Sequence, residues 1–196
     1  MALVTDSNGK LIPVDQALGS TGLGLKTPPP SSSGGAHPAL INFDQWFRFF
    51  SLNVEEDVFS EYAFYMNGNF QNVRLKCGEQ KASGSGWGYK HIRAGKKGLW
   101  EKQLDAAKSK GWQPSTQGVE GWDDLMNIAV GTAVTYWGYA SPVKGNNTRC
   151  TISTVTFGEV SSNGSWKIVY SFKAAAVFSV VSDRLITAYP IDKSTC

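Results

Sequence analysis

One histidine in this sequence stands where proton-transfer chemistry could be assembled. His91 lies in the run Ser83 to Gly98, Ser-Gly-Ser-Gly-Trp-Gly-Tyr-Lys-His-Ile-Arg-Ala-Gly-Lys-Lys-Gly, in which glycines punctuate aromatic and cationic side chains. The other histidine, His37, falls in a segment too poor in apolar residues to join a core. An imidazole of ordinary proton affinity exchanges protons around neutrality, and cations beside it favour the neutral, proton-accepting form. Lys90, Arg93, Lys96 and Lys97 would also hold a phosphate next to it. These groups suit metal-independent RNA cleavage. There the 2′-hydroxyl attacks the adjacent phosphate, a base takes its proton, an acid protonates the leaving 5′-oxygen, and cations stabilise the added negative charge.

Hydroxyl groups near the end of the chain complete the set. Leu185-Ile186-Thr187-Ala188-Tyr189-Pro190 reads as a strand, and residues two apart on a strand share a face. Thr187 or Tyr189 can donate to a phosphate oxygen while the other does the same or stacks on a base. Other chemistries fail on spacing. Gly95-Lys96-Lys97 lacks the flanking residues of a phosphate-binding loop, and Gly84-x-Gly86-x-Gly88 is not a dinucleotide fingerprint. With two histidines and no His/carboxylate pair, a His-rich metal site is not expected, and no cofactor is implied.

The elements that must position these residues follow from periodicity. Phe43, Trp46, Phe47 and Phe50 fit one helical face, which Val58, Phe59 and Tyr62 would continue after a break at Asn53. Leu99 to Lys110 predicts a helix with Trp100, Leu104 and Ala107 on one side and Gly111 as its stop. A second helix starts at Asp123 and Asp124 and carries Trp122, Leu125, Met126 and Ala129 toward Gly131. Beyond Lys144 the pattern is that of strands, at residues 148–157, 165–172, 175–182 and 185–189, with Asn163-Gly164 as a hairpin turn. Short connections between consecutive strands make an antiparallel meander, so the expected class is α+β, with helices packed on a C-terminal four-stranded sheet.

A chain of 196 residues with 41% hydrophobic content supports one core. Residues 1–40, with Pro28-Pro29-Pro30, Ser31-Ser32-Ser33 and Gly34-Gly35, predict a flexible linker. A single domain would follow over 41–196, with 41–82 an aromatic helical elaboration and 83–196 the core. The net charge of +3 is modest, but residues 85–115 alone carry +5, so the excess is local. The longest apolar runs fall far short of the roughly 20 residues that span a bilayer, and Met1 to Lys10 does not read as a secretory signal. Cys77, Cys150 and Cys196 are too few for a disulfide framework; a Cys77–Cys150 bridge is left open, with reduced thiols the default.

Gly88-Tyr89-Lys90-His91-Ile92, a Trp-containing helix and the terminal strand Leu185-Ile186-Thr187-Ala188-Tyr189-Pro190 together resemble the C-terminal nuclease domains of bacterial polymorphic toxins, the barnase, EndoU, colicin tRNase and RelE-like superfamily, over about residues 85–192. The resemblance implies helices followed by a four-stranded antiparallel sheet and RNA cleavage without metal. His91 would be a general acid/base, Thr187 and Tyr189 its partners across the sheet, and Lys90, Arg93, Lys96, Lys97 and Arg149 phosphate ligands. It departs from EndoU in having no second histidine in the folded region. It also implies a domain delivered by a specialised route into a target-cell cytoplasm, with RNA as substrate, a carrier chain or secretion apparatus, and an acidic immunity protein as partner. Two other readings compete. One is a non-enzymatic carbohydrate- or surface-binding module of a bacterial or phage adhesin, using exposed Trp and Tyr to stack on sugars; the other is a toxin that transfers ADP-ribose or acts on DNA.

Overall fold

Alternating burial, rather than helical spacing, governs the first well-defined segment. The computed structural model describes residues 3–5, 11–13, 54–160 and 165–196. The helix expected to continue through Val58, Phe59 and Tyr62 is instead an antiparallel hairpin of β3 (Val58–Met66) and β4 (Asn69–Lys76). Tyr62, Phe64, Val73 and Leu75 point inward at every second position while Tyr65 and Phe70 face solvent. The connecting Asn67 and Gly68 both have positive φ, 51° and 79°, the requirement of a type I′ turn. The earlier part of that expected helix, 43–53, lies outside the described residues. Within the expected linker, β1 (Leu3–Thr5) and β2 (Leu11–Pro13) pair as a small hairpin, and its remaining residues also lie outside the description.

A second small hairpin, β5 (Glu79–Gln80) with β6 (Gly86–Trp87), leads into helix α1 (Gly88–Ser109). This helix begins at Gly88 rather than Leu99. A 3₁₀ turn (Pro114–Gln117) precedes α2 (Trp122–Thr135). At the start of α2 the Asp124 carboxylate accepts the backbone N–H groups of Glu120 and Gly121 at 2.9 and 3.0 Å, satisfying donors that the helix itself leaves open.

The sheet contains β7 (Tyr139–Ala140), β8 (Thr148–Val160), β9 (Trp166–Ser179) and β10 (Leu185–Ile191), all antiparallel in the order β10-β9-β8-β7. The molecule is thus α+β, with helices preceding a four-stranded meander. The strands expected at 165–172 and 175–182 are one continuous strand, β9, and the short β7 is the fourth member. Both helices pack on one face of the sheet around Trp100, Trp112, Leu125, Met126, Phe157 and Phe178. A smaller cluster, Cys150, Ile152 and Ala175 with Tyr189 and Ile191, lies on the opposite face. Among the described residues no helix is long and apolar enough to cross a membrane.

The cysteines differ from both expectations in one bond: reduced thiol holds for Cys77 alone, and the bridge is not Cys77–Cys150. Cys150 on β8 is bonded to Cys196, with Cα atoms 6.3 Å apart, and Cys77 is a free, buried thiol whose proton affinity burial pushes up. The tail after β10 folds back far enough to bring Cys196 to β8, a proximity that residue spacing alone does not reveal.

The β3–β4 hairpin is fastened to the sheet by charge. Asp183, in the β9–β10 connection, accepts from Arg74 Nη1 and Lys76 Nζ, each at 2.8 Å. Lys76 also reaches Glu56 at 2.8 Å, Arg74 pairs with Glu61, and Glu56 pairs with Arg184. The Arg184 guanidinium in turn stacks 4.2 Å above the Trp87 ring. Burial would raise the Asp183 carboxyl, but hydrogen bonds from Lys76 and Arg74 outweigh it and hold the group below the usual carboxylate range. At Glu56 the hydrogen bond from Lys76 is the main cause of the same lowering, opposed by burial.

A carboxylate lowered in the folded state contributes stability above its unfolded value near ~4, and that contribution is lost as pH falls through the folded value. Asp183→Asn is therefore expected to destabilise the fold by about 2 kcal/mol at neutral pH, measured by urea denaturation. The difference from the parent should shrink as the pH is taken below about 4.

Candidate active site

The first turn of α1 is fixed by backbone contact with the end of β4. The amide of Lys90 donates to the carbonyl of Cys77 at 3.0 Å. Gly88 (φ 74°) passes so close that a Cβ there would stand 2.7 Å from the Lys76 carbonyl oxygen, so only glycine fits. His91 follows, half-buried, with Nδ1 2.8 Å from Gln80 Oε1 on β5. Gln80 donates its own Nε2 to the Lys81 carbonyl at 3.0 Å. Its oxygen is thereby the acceptor toward the ring, and His91 Nδ1–H is the donor. The lone pair is left on Nε2, the arrangement a general base needs. Burial first, and the charge of Lys96 second, lower the proton affinity of His91, which favours the neutral, proton-accepting form.

Lys96 occupies an unusual register. Ile92, Trp100 and Leu104 form the buried stripe of α1, and residue 96 falls in that stripe at the four-residue step between Ile92 and Trp100. The half-buried lysine consequently faces β10, where its ammonium lies 5.4 Å from the centroid of the Tyr189 ring, a cation–π distance. Trp100 Nε1 donates to the Ala188 carbonyl at 3.3 Å and fastens the helix to the same strand. Ala188 belongs to the helix-side core and Tyr189 to the opposite cluster. Since β10 is an edge strand, Lys96 reaches Tyr189 around the edge of the sheet.

His91, Gly95 and Gly98 share a strip of α1 at i, i+4 and i+7. A Cβ added at either glycine would meet no atom within 4 Å, so core packing does not require them. The strip is bare helix backbone beside the imidazole. The first turn carries no acidic residue and no side-chain cap; cations gather at the end of the helix whose dipole is already positive. That arrangement opposes helix stability and favours an approaching anion.

The remaining candidate residues are dispersed. Lys90 is half-buried and interacts electrostatically with the Cys77 thiol. Arg93 is exposed near Tyr89. Lys97 forms an exposed pair with Glu101 at 3.4 Å, of little energetic consequence. Arg149 opens β8 beside Met66 and Phe64, in a groove whose lining includes neither His91 nor Lys96. The Thr187 hydroxyl is sealed from solvent without a hydrogen-bond partner, so as positioned it does not present itself to a dissolved phosphate. Among the described residues no hydrogen bond joins His91 to Thr187 or Tyr189; the connection runs through Lys96. Gln80, which orients the imidazole, carries no sequence signal, because its role depends on a hairpin formed by residues of no distinctive type.

Among the described residues no group of three His, Cys, Asp or Glu side chains gathers to hold a metal ion. Comparison of the chain with protein-family models, with curated proteins and with solved structures finds no match.

With only two histidines in the chain, an NMR pH titration reads His91 directly. Its midpoint is expected below the unfolded value near ~6.5 and should move upward in Lys96→Gln; a midpoint that does not move would place the ammonium away from the ring. Gly95→Ala and Gly98→Ala are each expected to stabilise the free protein by about 0.5–1 kcal/mol, measured by thermal denaturation.

Proposed function

We propose that this chain is a metal-independent endoribonuclease, the toxic domain of a delivered bacterial toxin, cutting RNA to leave a 2′,3′-cyclic phosphate and a 5′-hydroxyl. The observation that carries the reading is Lys96, a lysine in the core-facing register of α1 that influences the proton affinity of His91 and lies over the ring of Tyr189. Cation and phenol thereby meet at one edge of the sheet, with the base on the same helix and within electrostatic reach of the cation.

In this reading His91 Nε2 takes the proton of the ribose 2′-hydroxyl as the 2′-oxygen bonds to phosphorus and the bond from phosphorus to the 5′-oxygen breaks. Lys96 and the amide end of α1 stabilise the charge on the phosphoryl oxygens. The Tyr189 hydroxyl supplies a proton or hydrogen bond to the departing oxygen, and Thr187, sealed from solvent, takes no part. Lys90, Arg93 and Lys97 attract the flanking phosphates, and the bare strip at Gly95 and Gly98 lets an RNA backbone approach the helix closely. An acidic immunity protein would cover the same basic surface. The helix-before-meander order agrees with a toxin nuclease. The adhesin alternative would draw on exposed Trp and Tyr; Trp87, Trp100 and Trp112 are buried, while Tyr65 is exposed.

The test is incubation of the purified chain with total RNA in excess chelator, followed by end-group analysis. Cyclic phosphate ends are expected, with a rate that falls on acidification as His91 becomes protonated. His91→Ala, Lys96→Met and Tyr189→Phe should each lose a factor of about 100 or more with little change in melting temperature. RNA left intact at high protein concentration would overturn the reading.

A further inference from the structure

A separate groove of about 540 Å³ lies between the tip of the β3–β4 hairpin and the β9–β10 connection, within the ordinary size range of small-ligand sites. Its walls are fixed. Gln71 Nε2 donates to the carbonyls of Ser179 and Ser182 at 2.6 and 2.9 Å, and Asp183 in the same wall is held by Arg74 and Lys76. A ligand would therefore meet a formed site.

Arg149 is the chemically unusual member of that lining. Its Nε is buried with no hydrogen-bond partner. One Nη donates only to the Met66 thioether, 3.0 Å away, a weak acceptor. The guanidinium lies 5.4 Å from the Phe64 ring centroid, and among the described residues no carboxylate pairs with it. Asp183, the acidic residue of the groove lining, is engaged by two other cations. A half-buried guanidinium without an anion is costly to maintain, and its best complement is an oxyanion held by two parallel N–H groups. The opening carries apolar surface in place of charge: Phe70 is 63% exposed and Val181 73%. Asn69 adds a carboxamide at the mouth.

We propose that this groove is a second nucleotide site for single-stranded RNA, with a phosphate on Arg149 and a base against Phe70. It deepens the nuclease reading and rests on it for the identity of the ligand. A guanidinium for the phosphate and an aromatic face for the base form the usual pairing in single-strand recognition. The groove would hold a nucleotide away from the cut and raise affinity for extended over minimal substrates.

The experiment is fluorescence anisotropy of a labelled single-stranded RNA octamer and a labelled dinucleotide with the full chain carrying His91→Ala, alongside steady-state cleavage by the otherwise unaltered chain. Arg149→Gln and Phe70→Ala are expected each to weaken octamer binding about tenfold, to leave dinucleotide binding unchanged, and to raise KM for long RNA with kcat retained. Phe70 is exposed, so its variant reports on the groove even if Arg149→Gln unfolds. Octamer binding insensitive to Phe70→Ala in a folded protein overturns the proposal. A chain that binds the octamer through Phe70 and Arg149 yet never cleaves RNA sinks the nuclease reading and leaves the groove standing. Cleavage with both variants at parental KM does the reverse.

Discussion

Asp183 joins two parts of the chain that are distant in sequence. Its carboxylate receives Arg74 and Lys76 from β4, and its backbone carbonyl accepts the Arg74 amide. Through Glu56 and Arg184 the network continues to the Trp87 ring, immediately before α1. Three cations and three anions balance within it, so the hairpin docks without leaving a charge unpaired. The same junction also forms one wall of the Arg149 groove. The entry to α1 and the Arg149 groove thus share one electrostatic joint.

The legible parts of the fold were those in which one local rule acted without competition. Trp100, Leu104 and Ala107 repeat at helical spacing and belong to a helix; Asp123 and Asp124 mark the first turn of another. The α+β order and the meander followed from β-branched alternation after residue 147. Val58, Phe59 and Tyr62 were misleading because three aromatic or branched residues match either period over so short a span. The deciding signal was Asn67-Gly68, a two-residue turn directly between two strands. The N-terminal half of α1 was invisible for the opposite reason: Gly88, Gly95 and Gly98 disfavour a helix, and packing of Tyr89 and Ile92 against the rest of the core overrides them.

The candidate site was legible in its residue types and not in its arrangement. His91, Lys96 and Tyr189 were identifiable as chemistry-bearing groups, but Lys96 and Lys97 look equivalent until the helix phase separates them, one toward β10 and one toward Glu101. Thr187 and Tyr189 share a face as alternation requires, yet that face is the one turned away from the helices, and only the position of β10 at the sheet edge lets Tyr189 meet α1. Arg149 was assigned to the same phosphate through the resemblance, from its place at the start of a strand. Its partners come from β3, across 83 residues of chain, a separation that no local pattern encodes.

The link between Cys150 and Cys196 has a mechanical consequence. It closes a covalent ring around β8, β9 and β10. Tension applied at the last residue would ordinarily peel the edge strand away one hydrogen bond at a time. Here the load bypasses β10 and enters at β8, an interior strand bonded on both sides, where separation requires many backbone bonds to yield together.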